Sequence, residues 1–306
     1  MSRPVYGPVP SRRLGRSLGI DLIPFKTCSY NCIYCQLGRT RHKTVERRNW
    51  IAPEIVLEEL KKRLHIPFDT ITLAGSGEPT LHSEIGRVIA DVKMLTDAPV
   101  AVLTNGSLLS RPDVRRDLEA ADIVLPSLDA GNEKLFHYIN RPHPAVRFLP
   151  MVEGLIDFRR SFRGKIWLEV FLLGGVNALP PAVHEIALIA ERIGPERIQL
   201  NTVTRPPAEP FAMQVSQDIM EQLAEIFGGR AEIIADYRQP PEAARDEQGE
   251  EEVKELILRR PCTLEDISAA LSMDLTRASR FIAELTARGE VESTAVGSKR
   301  YFTAVR

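Results

Sequence analysis

Between Ser17 and Tyr237 short runs of branched, apolar residues alternate with longer amphipathic stretches, and this alternation limits the fold more than any other feature of the chain. Six runs read as strands: Leu18 to Pro24, Thr70 to Ala74, Val100 to Thr104, Asp122 to Leu128, Lys165 to Leu173 and Arg197 to Val203. The stretches between them carry apolar residues at helical spacing. Pro53, well suited to a first helical turn, opens a helix that sets Val56, Leu57, Leu60 and Leu64 on one face. Ile85, Val88, Ile89, Val92 and Leu95 form a second stripe; Val183, Ile186, Ala187, Ala190 and Ile193 a third; Ile219, Leu223 and Ile226 a fourth. Strands that alternate with helices imply a parallel sheet covered by helices. Six repeats predict an α/β fold, a partial (β/α)6 TIM-like barrel, in residues 1–237.

Residues 238–250 are charged, proline-containing and poor in apolar side chains, which predicts a linker. Residues 251–306 change character. A helix is expected over Val253 to Leu258, and Thr263-x-x-Asp266 starts a second one ahead of Ile267 and Leu271. A third carries Ala278, Phe281, Ile282 and Leu285 and stops at Gly289. Val291 to Val296, a Gly297-Ser298 turn and Arg300 to Val305 complete a hairpin. Three short helices and a hairpin describe a winged-helix domain.

In a βα barrel the loops after the strand C-termini carry the chemistry. The first of these loops holds Cys28, Cys32 and Cys35, three of the chain's four cysteines. Thiolates are soft ligands for zinc, copper(I) or iron-sulfur clusters, and three in one turn converge without help from distant chain. The fourth cysteine, Cys262, falls in the C-terminal segment and reads as a structural thiol. Two arrangements follow: a zinc site completed by His42, or a centre with one coordination position left open.

Other strand ends supply short polar side chains. Asn105 follows the third strand, and Ser127 and Asp129 end the fourth. Each can bond a ribose or a carboxylate, and each is equally a common turn or helix-cap residue. Glu169 and Asn201 lie inside apolar strands and can point into the barrel, where inward polar groups near the mouth are ligand candidates.

The net charge of -1 conceals an asymmetry. Ten basic residues face two acidic ones between Met1 and Trp50, on both sides of the cysteine loop, which either attracts a polyanion or only solvates that surface. Residues 250–306 hold nine basic and ten acidic residues, a balance that favours docking or packing over phosphate binding. No apolar core follows Met1-Ser-Arg-Pro-Val-Tyr and no run approaches the length that spans a bilayer, so no membrane association is expected and a cytoplasmic location is.

The spacing Cys28-x-x-x-Cys32-x-x-Cys35, with aromatic Tyr34 before the last cysteine, resembles that of the radical S-adenosylmethionine superfamily. The resemblance extends over roughly Leu18 to Val203. It implies that the three thiolates hold a 4Fe-4S cluster and that S-adenosylmethionine occupies the open position at the fourth iron. It implies, further, that reductive cleavage of the sulfonium yields a 5'-deoxyadenosyl radical. Gly75-Ser-Gly-Glu-Pro-Thr80 is similar to the glycine-glycine-glutamate motif that grips the cofactor's amino group, with Ser76 where glycine is usual. Gly77 and Glu78 of this loop are expected to contact the cofactor, together with the strand-end residues Asn105, Ser127 and Asp129 and the inward candidate Asn201, while Tyr34 is expected to pack on the adenine.

Two further runs, Gly7 to Leu22 and Gln199-Leu-Asn-Thr-Val-Thr-Arg-Pro-Pro207, look like the branch of wyosine-type tRNA-modifying radical enzymes. Those synthases use a second cluster held by additional N-terminal cysteines; this chain has none before Cys28. An RNA substrate is the leading expectation, met by Arg12, Arg13 and Arg16, with an electron donor of the flavodoxin or ferredoxin type. Arg277, Arg280, Arg288, Lys299 and Arg300 are the nucleic-acid candidates of the C-terminal domain. Two alternatives stand beside it: a peptide- or protein-modifying enzyme that recruits substrate through the winged helix, and a metal- or redox-sensing DNA-binding regulator without catalysis.

Overall fold

The computed structural model describes residues 3–235, 249–271 and 273–305. Of the expected linker, only Gly249 and Glu250 fall among them. The barrel strands are β1 (Val5–Ser11), β2 (Gly15–Ile20), β3 (Thr27–Cys28), β4 (His42–Lys43), β5 (Thr70–Leu73), β6 (Val100–Thr104), β7 (Ile123–Pro126), β8 (Lys165–Leu172), β9 (Arg197–Thr202) and β10 (Ala231–Ile233). Eight of them form one sheet in the order β1-β2-β5-β6-β7-β8-β9-β10. β1 is antiparallel to β2, and every later neighbour is parallel. β3 and β4 pair as a short parallel ladder in the long connection after β2.

The helices α1 (Pro53–Lys61), α2 (Ile85–Leu95), α3 (Pro112–Asp117), α4 (Glu133–Asn140), α5 (Phe148–Ser161), α6 (Pro180–Ile193) and α7 (Gln217–Glu225) fill the crossovers. One extended core joins their inner faces to the outward side of the sheet: Val56 and Leu60, Val88 and Val92, Val183 and Ile186 pack with Ile71, Val100 and Leu168. One expected stripe is corrected. Ile219 is 44% exposed, and Met220 and Leu223 are the residues α7 buries.

Two strands escape the sequence pattern. The first strand was expected at Leu18 to Pro24, but β2 begins earlier, at Gly15, because it pairs with the unexpected β1. Pro8 and Pro10 disguise β1; an edge strand with a register shift between Tyr6 and Val9 tolerates them. β10 is only three residues long, too short to show a period.

The opposite side of the sheet is concave and partly filled by the β1–β2 turn. Leu14 packs there with Ala101, Ile123, Leu125 and Trp167, and Arg13 reaches Glu169 and Gln199 as an ion pair and a hydrogen bond. Arg12 donates to the carbonyl of Ile234, just beyond β10. The hairpin therefore bridges towards the far edge of the sheet. Of the three arginines expected to face RNA, Arg13 is half-buried and ion-paired to Glu169, whereas Arg12 and Arg16 are exposed, Arg12 with its guanidinium on the Ile234 carbonyl.

The C-terminal segment comprises α8 (Glu250–Arg259), α9 (Leu264–Leu271), α10 (Leu275–Ala287) and the hairpin β11 (Val291–Val296) with β12 (Lys299–Ala304). It has a core of its own, with Val253, Ile267, Phe281, Leu285 and Val291. Thr263 and Asp266 satisfy one another's backbone N–H groups at the start of α9. Cys262 is buried there and its thiol points to the carbonyl of Arg260. This segment docks on β1 and the barrel rim: Arg205 pairs with Asp266, and the Tyr301 hydroxyl donates to the Thr204 carbonyl. No helix among the described residues is long and apolar enough to cross a membrane.

Candidate cofactor site at the strand C-termini

The cysteine loop is held from three sides. Its Lys26 N–H donates to the carbonyl of Ser76, and Thr44 N–H to that of Cys28. From α4, the carbonyls of Ile139 and Asn140 accept the N–H groups of Ile33 and Asn31, both at 2.9 Å. These carbonyls end a helix and lack partners within it, so the loop satisfies them. From beyond β9, Glu209 N–H donates to the Ile33 carbonyl, while its buried carboxylate takes Arg39 and Arg141. The loop's shape is fixed by the rest of the fold.

Within it, Cys28, Cys32 and Cys35 are all half-buried. The Cys28 sulfur accepts from Tyr30 N–H at 3.5 Å and Asn105 Nδ2 at 3.4 Å, and the Cys32 sulfur from Asn140 Nδ2 at 3.5 Å. Burial pushes the Cys28 thiol up to about 12, with Glu78 adding to the effect. It raises Cys32 and Cys35 as well, although nearby Lys26 pulls Cys35 back. Such thiols stay protonated until a cation displaces the proton.

The loop after β5 packs directly on this one. A Cβ on Gly77 would lie 1.8 Å from the Thr27 carbonyl oxygen, so only glycine fits. Gly75 has φ +150°, and a Cβ there would strike Asp21. Glu78 is 2% exposed, and burial raises its pKa against the pull of its hydrogen bonds. Its Oε1 accepts from Thr80 N–H and from the hydroxyls of Thr80 and Thr104, whereas among the described residues Oε2 accepts only the Asn105 N–H at 2.7 Å. Oε2 is thus the oxygen with spare acceptor capacity. Asn105 also donates to Ser29 Oγ at 2.9 Å, so one carboxylate and one amide join three loops.

On the other side of the cysteines, Asp129 is buried and its carboxyl is raised to about 6 by that burial. Its Oδ2 accepts from the Tyr34 hydroxyl at 2.5 Å and Asn140 Nδ2 at 2.7 Å, and its Oδ1 from Phe171 N–H. The Tyr34 ring stacks on Phe171 with centroids 3.9 Å apart. Ser127 is half-buried at the end of β7, in a backbone bridge to Glu169. Asn201 stands opposite Phe171 in the β8–β9 register, its Oδ1 on Thr202 N–H. Glu78 and Asn105 therefore meet at Cys28, and Asp129 and Tyr34 meet near Cys32, while Asn201 bonds to neither group among the described residues. Sequence reading missed Ser29, Asn140 and Asp21; a helix-ending Asn before Arg141-Pro142 signals only a cap.

His42 does not join the thiols. It is exposed on β4, edge-on to Trp50 at 5.8 Å. Among the described residues, no three His, Cys, Asp or Glu side chains form a group that would hold a single metal ion. Residues 22–178 match the family model of the Radical SAM superfamily. The chain belongs to this superfamily. Three soft donors approached by amide N–H groups suit the superfamily's 4Fe-4S cluster.

A UPF0026 protein of Helicobacter pylori is 32% identical over 306 residues, covering 98% of this chain and 97% of that one. A protein of Brachyspira hyodysenteriae named GTPase Obg is 41% identical over 297 residues, but this chain spans only 44% of its length. The Gly-Lys pair required by a phosphate-binding loop occurs here only as Gly164-Lys165, followed by Ile166 and not by Ser or Thr. More distantly, a dual-specificity RNA methyltransferase RlmN of Buchnera aphidicola is 26% identical over 191 residues, 56% of this chain and 50% of that one. Among solved structures, Streptococcus suis SuiB bound to precursor peptide SuiA superposes with a TM-score of 0.54 at 13% identity, over 71% of this chain and 48% of that one.

Proposed function

We propose that this chain is a cytoplasmic radical S-adenosylmethionine enzyme that modifies RNA. The observation that carries the enzymatic part is the junction of three loops at the strand C-termini: the thiols of Cys28, Cys32 and Cys35, the Gly77–Glu78 turn, and Asn105. Cys28, Cys32 and Cys35 would hold the 4Fe-4S cluster, and Gly77, Glu78, Asn105, Ser127, Asp129, Tyr34 and Asn201 would contact S-adenosylmethionine. When bound, the cluster supplies the electron, received from a flavodoxin- or ferredoxin-type donor, that splits a carbon-sulfur bond and releases a 5'-deoxyadenosyl radical.

The chain's own residues prepare that site. Asn105 and Asn140 aim N–H groups at sulfur, which stabilises negative charge there. Asp129 and Phe171 set the plane of the Tyr34 ring in advance. Ile33, Leu173 and Val203 form an apolar cluster beside it that limits water.

RNA as substrate draws support from the partial likeness to an RNA methyltransferase and from the exposed Lys299 and Arg300 on the C-terminal hairpin, which we read as the wing of a winged helix. Basic residues near the N-terminus no longer contribute much, since Arg13, Arg39, Arg47 and Arg48 are all ion-paired within the chain. The test is anaerobic reconstitution, reduction with S-adenosylmethionine present, and assay of 5'-deoxyadenosine, with and without total tRNA. Formation of 5'-deoxyadenosine that rises with tRNA supports the proposal. Bound iron and sulfide with no 5'-deoxyadenosine would overturn the enzymatic part; product indifferent to tRNA would overturn the substrate.

A further inference from the structure

Arg259 is the last residue of α8, in the C-terminal segment, yet its side chain is buried among residues of the N-terminal domain. The guanidinium carbon stands 4.0 Å from the centre of the Tyr6 ring, Nη2 donates to the Arg3 carbonyl at 2.6 Å, and Nη1 meets Asp21 Oδ2 at 3.1 Å. Both charged side chains are only 6% exposed. Nε is buried with no partner among the described residues, so Arg259 is held here at a cost and not by convenience.

Asp21 is shared between two parts of the molecule. Both its oxygens accept from Ser76 N–H at 3.1 Å, and Oδ2 also accepts the Ser76 hydroxyl at 2.5 Å. Ser76 is the residue that stands where the resembling motif has glycine, and its hydroxyl has this role. The next two residues are Gly77 and Glu78. The Ser76 carbonyl takes the N–H of Lys26 at the start of the cysteine loop, and Glu78 N–H returns to the Thr27 carbonyl. A continuous set of bonds runs from α8 through Arg259, Asp21 and Ser76 into both loops of the cofactor site.

We propose that Arg259 is a positioning residue for S-adenosylmethionine: docking of the C-terminal segment sets the 75–78 loop through the buried Arg259–Asp21–Ser76 relay. The inference rests on the radical S-adenosylmethionine reading above. A buried carboxylate that loses its cation is left uncompensated, and Asp21 cannot then hold Ser76 as an ion. Substrate engagement on the C-terminal segment thereby has a direct route to cofactor binding.

Two measurements test this on the full chain. In protein without added cofactor, hydrogen exchange of the Ser76, Gly77 and Glu78 amides is compared between wild type, Arg259→Met and the double variant Asp21→Asn/Arg259→Met. In reconstituted protein, equilibrium dialysis gives the S-adenosylmethionine Kd, and 5'-deoxyadenosine kinetics give KM and kcat. Arg259→Met should speed exchange and weaken binding by roughly tenfold, with iron content and saturated kcat unchanged. The double variant removes the buried charge while the introduced amide oxygen still accepts from Ser76, so it should recover most of the loss. This pair also covers an Arg259→Met protein that fails to fold. Exchange and Kd equal to wild type in Arg259→Met, or a double variant no better than the single one, would overturn the relay. A wild-type protein that binds no S-adenosylmethionine would instead sink the functional reading, and the exchange arm would still decide the mechanical link.

Discussion

Asn140 Nδ2 lies 3.5 Å from the Cys32 sulfur and 2.7 Å from Asp129 Oδ2, so one amide at the end of α4 joins a thiol to the carboxylate that holds Tyr34. The main-chain carbonyl of the same residue takes the Asn31 N–H. Replacing it with Ala removes both side-chain bonds and leaves a buried carboxylate short of a donor. Asn140→Ala should lose about 1–3 kcal/mol of stability in denaturant melts and retain less iron after reconstitution. A variant with wild-type stability and iron content would show that the contact with Cys32 is incidental.

The four cysteines should separate into two groups. Cys28, Cys32 and Cys35 share one loop, whereas Cys262 is buried in the C-terminal core and bonded to a backbone carbonyl. Alanine at any of the first three should abolish stable iron and sulfide incorporation. Cys262→Ala should keep full iron and sulfide and lose on the order of 1 kcal/mol of stability, as for a small buried side chain. Normal cluster content in any of the first three variants would remove that cysteine from the ligand set.

Gly77 offers a sharper steric test than any polar residue. The Cβ of an alanine would sit 1.8 Å from the Thr27 carbonyl oxygen, and backbone on backbone has no rotamer by which to escape. Gly77→Ala must push the 75–78 turn away from the cysteine loop, breaking the Glu78–Thr27 backbone bond. A loss of about 4 kcal/mol or more is expected, measured by thermal and urea unfolding. Unaltered unfolding would mean that the two loops do not pack as closely as described.

The helices that cover the sheet were legible because their signal is periodic: Val88 and Val92, or Val183 and Ile186, declare a buried face by spacing alone. β1 was hidden because Pro8 and Pro10 suppress a strand pattern that hairpin pairing nevertheless supports. The runs Gly7 to Leu22 and Gln199 to Pro207, read from sequence as a mark of tRNA-modifying enzymes, contact each other, Arg13 with Gln199 and Arg12 with Thr204. These contacts join the first hairpin to the end of β9, which no local pattern in the sequence shows. Charge was misleading for a related reason: a count along the chain cannot see that Glu169, Glu209 and Asp113 return from far away to neutralise Arg13, Arg39 and Arg47. Ser76 looked like a departure from a motif, and only the tertiary structure supplies its partner, Asp21.

Tyr30 supplies a prediction of opposite sign. Its ring is buried edge-on to Phe136 at 5.5 Å, but its hydroxyl is buried with no hydrogen-bond partner among the described residues. Burial and the neighbouring thiols and carboxylates raise its pKa well above the usual value, so the hydroxyl stays protonated and neutral. An unpaired buried hydroxyl costs about 1–3 kcal/mol. Tyr30→Phe keeps the ring and removes the oxygen, so it should leave the packing intact and raise stability by roughly 1 kcal/mol in the protein without cofactor. Backbone bonds around it, including Thr40 Oγ1 to the Tyr30 carbonyl at 2.7 Å, do not involve the hydroxyl and are retained. Urea unfolding of the wild type and Tyr30→Phe side by side decides the matter: a less stable variant would mean that the hydroxyl has a partner, and the comparison repeated after cluster reconstitution would show whether that partner arrives with the cofactor.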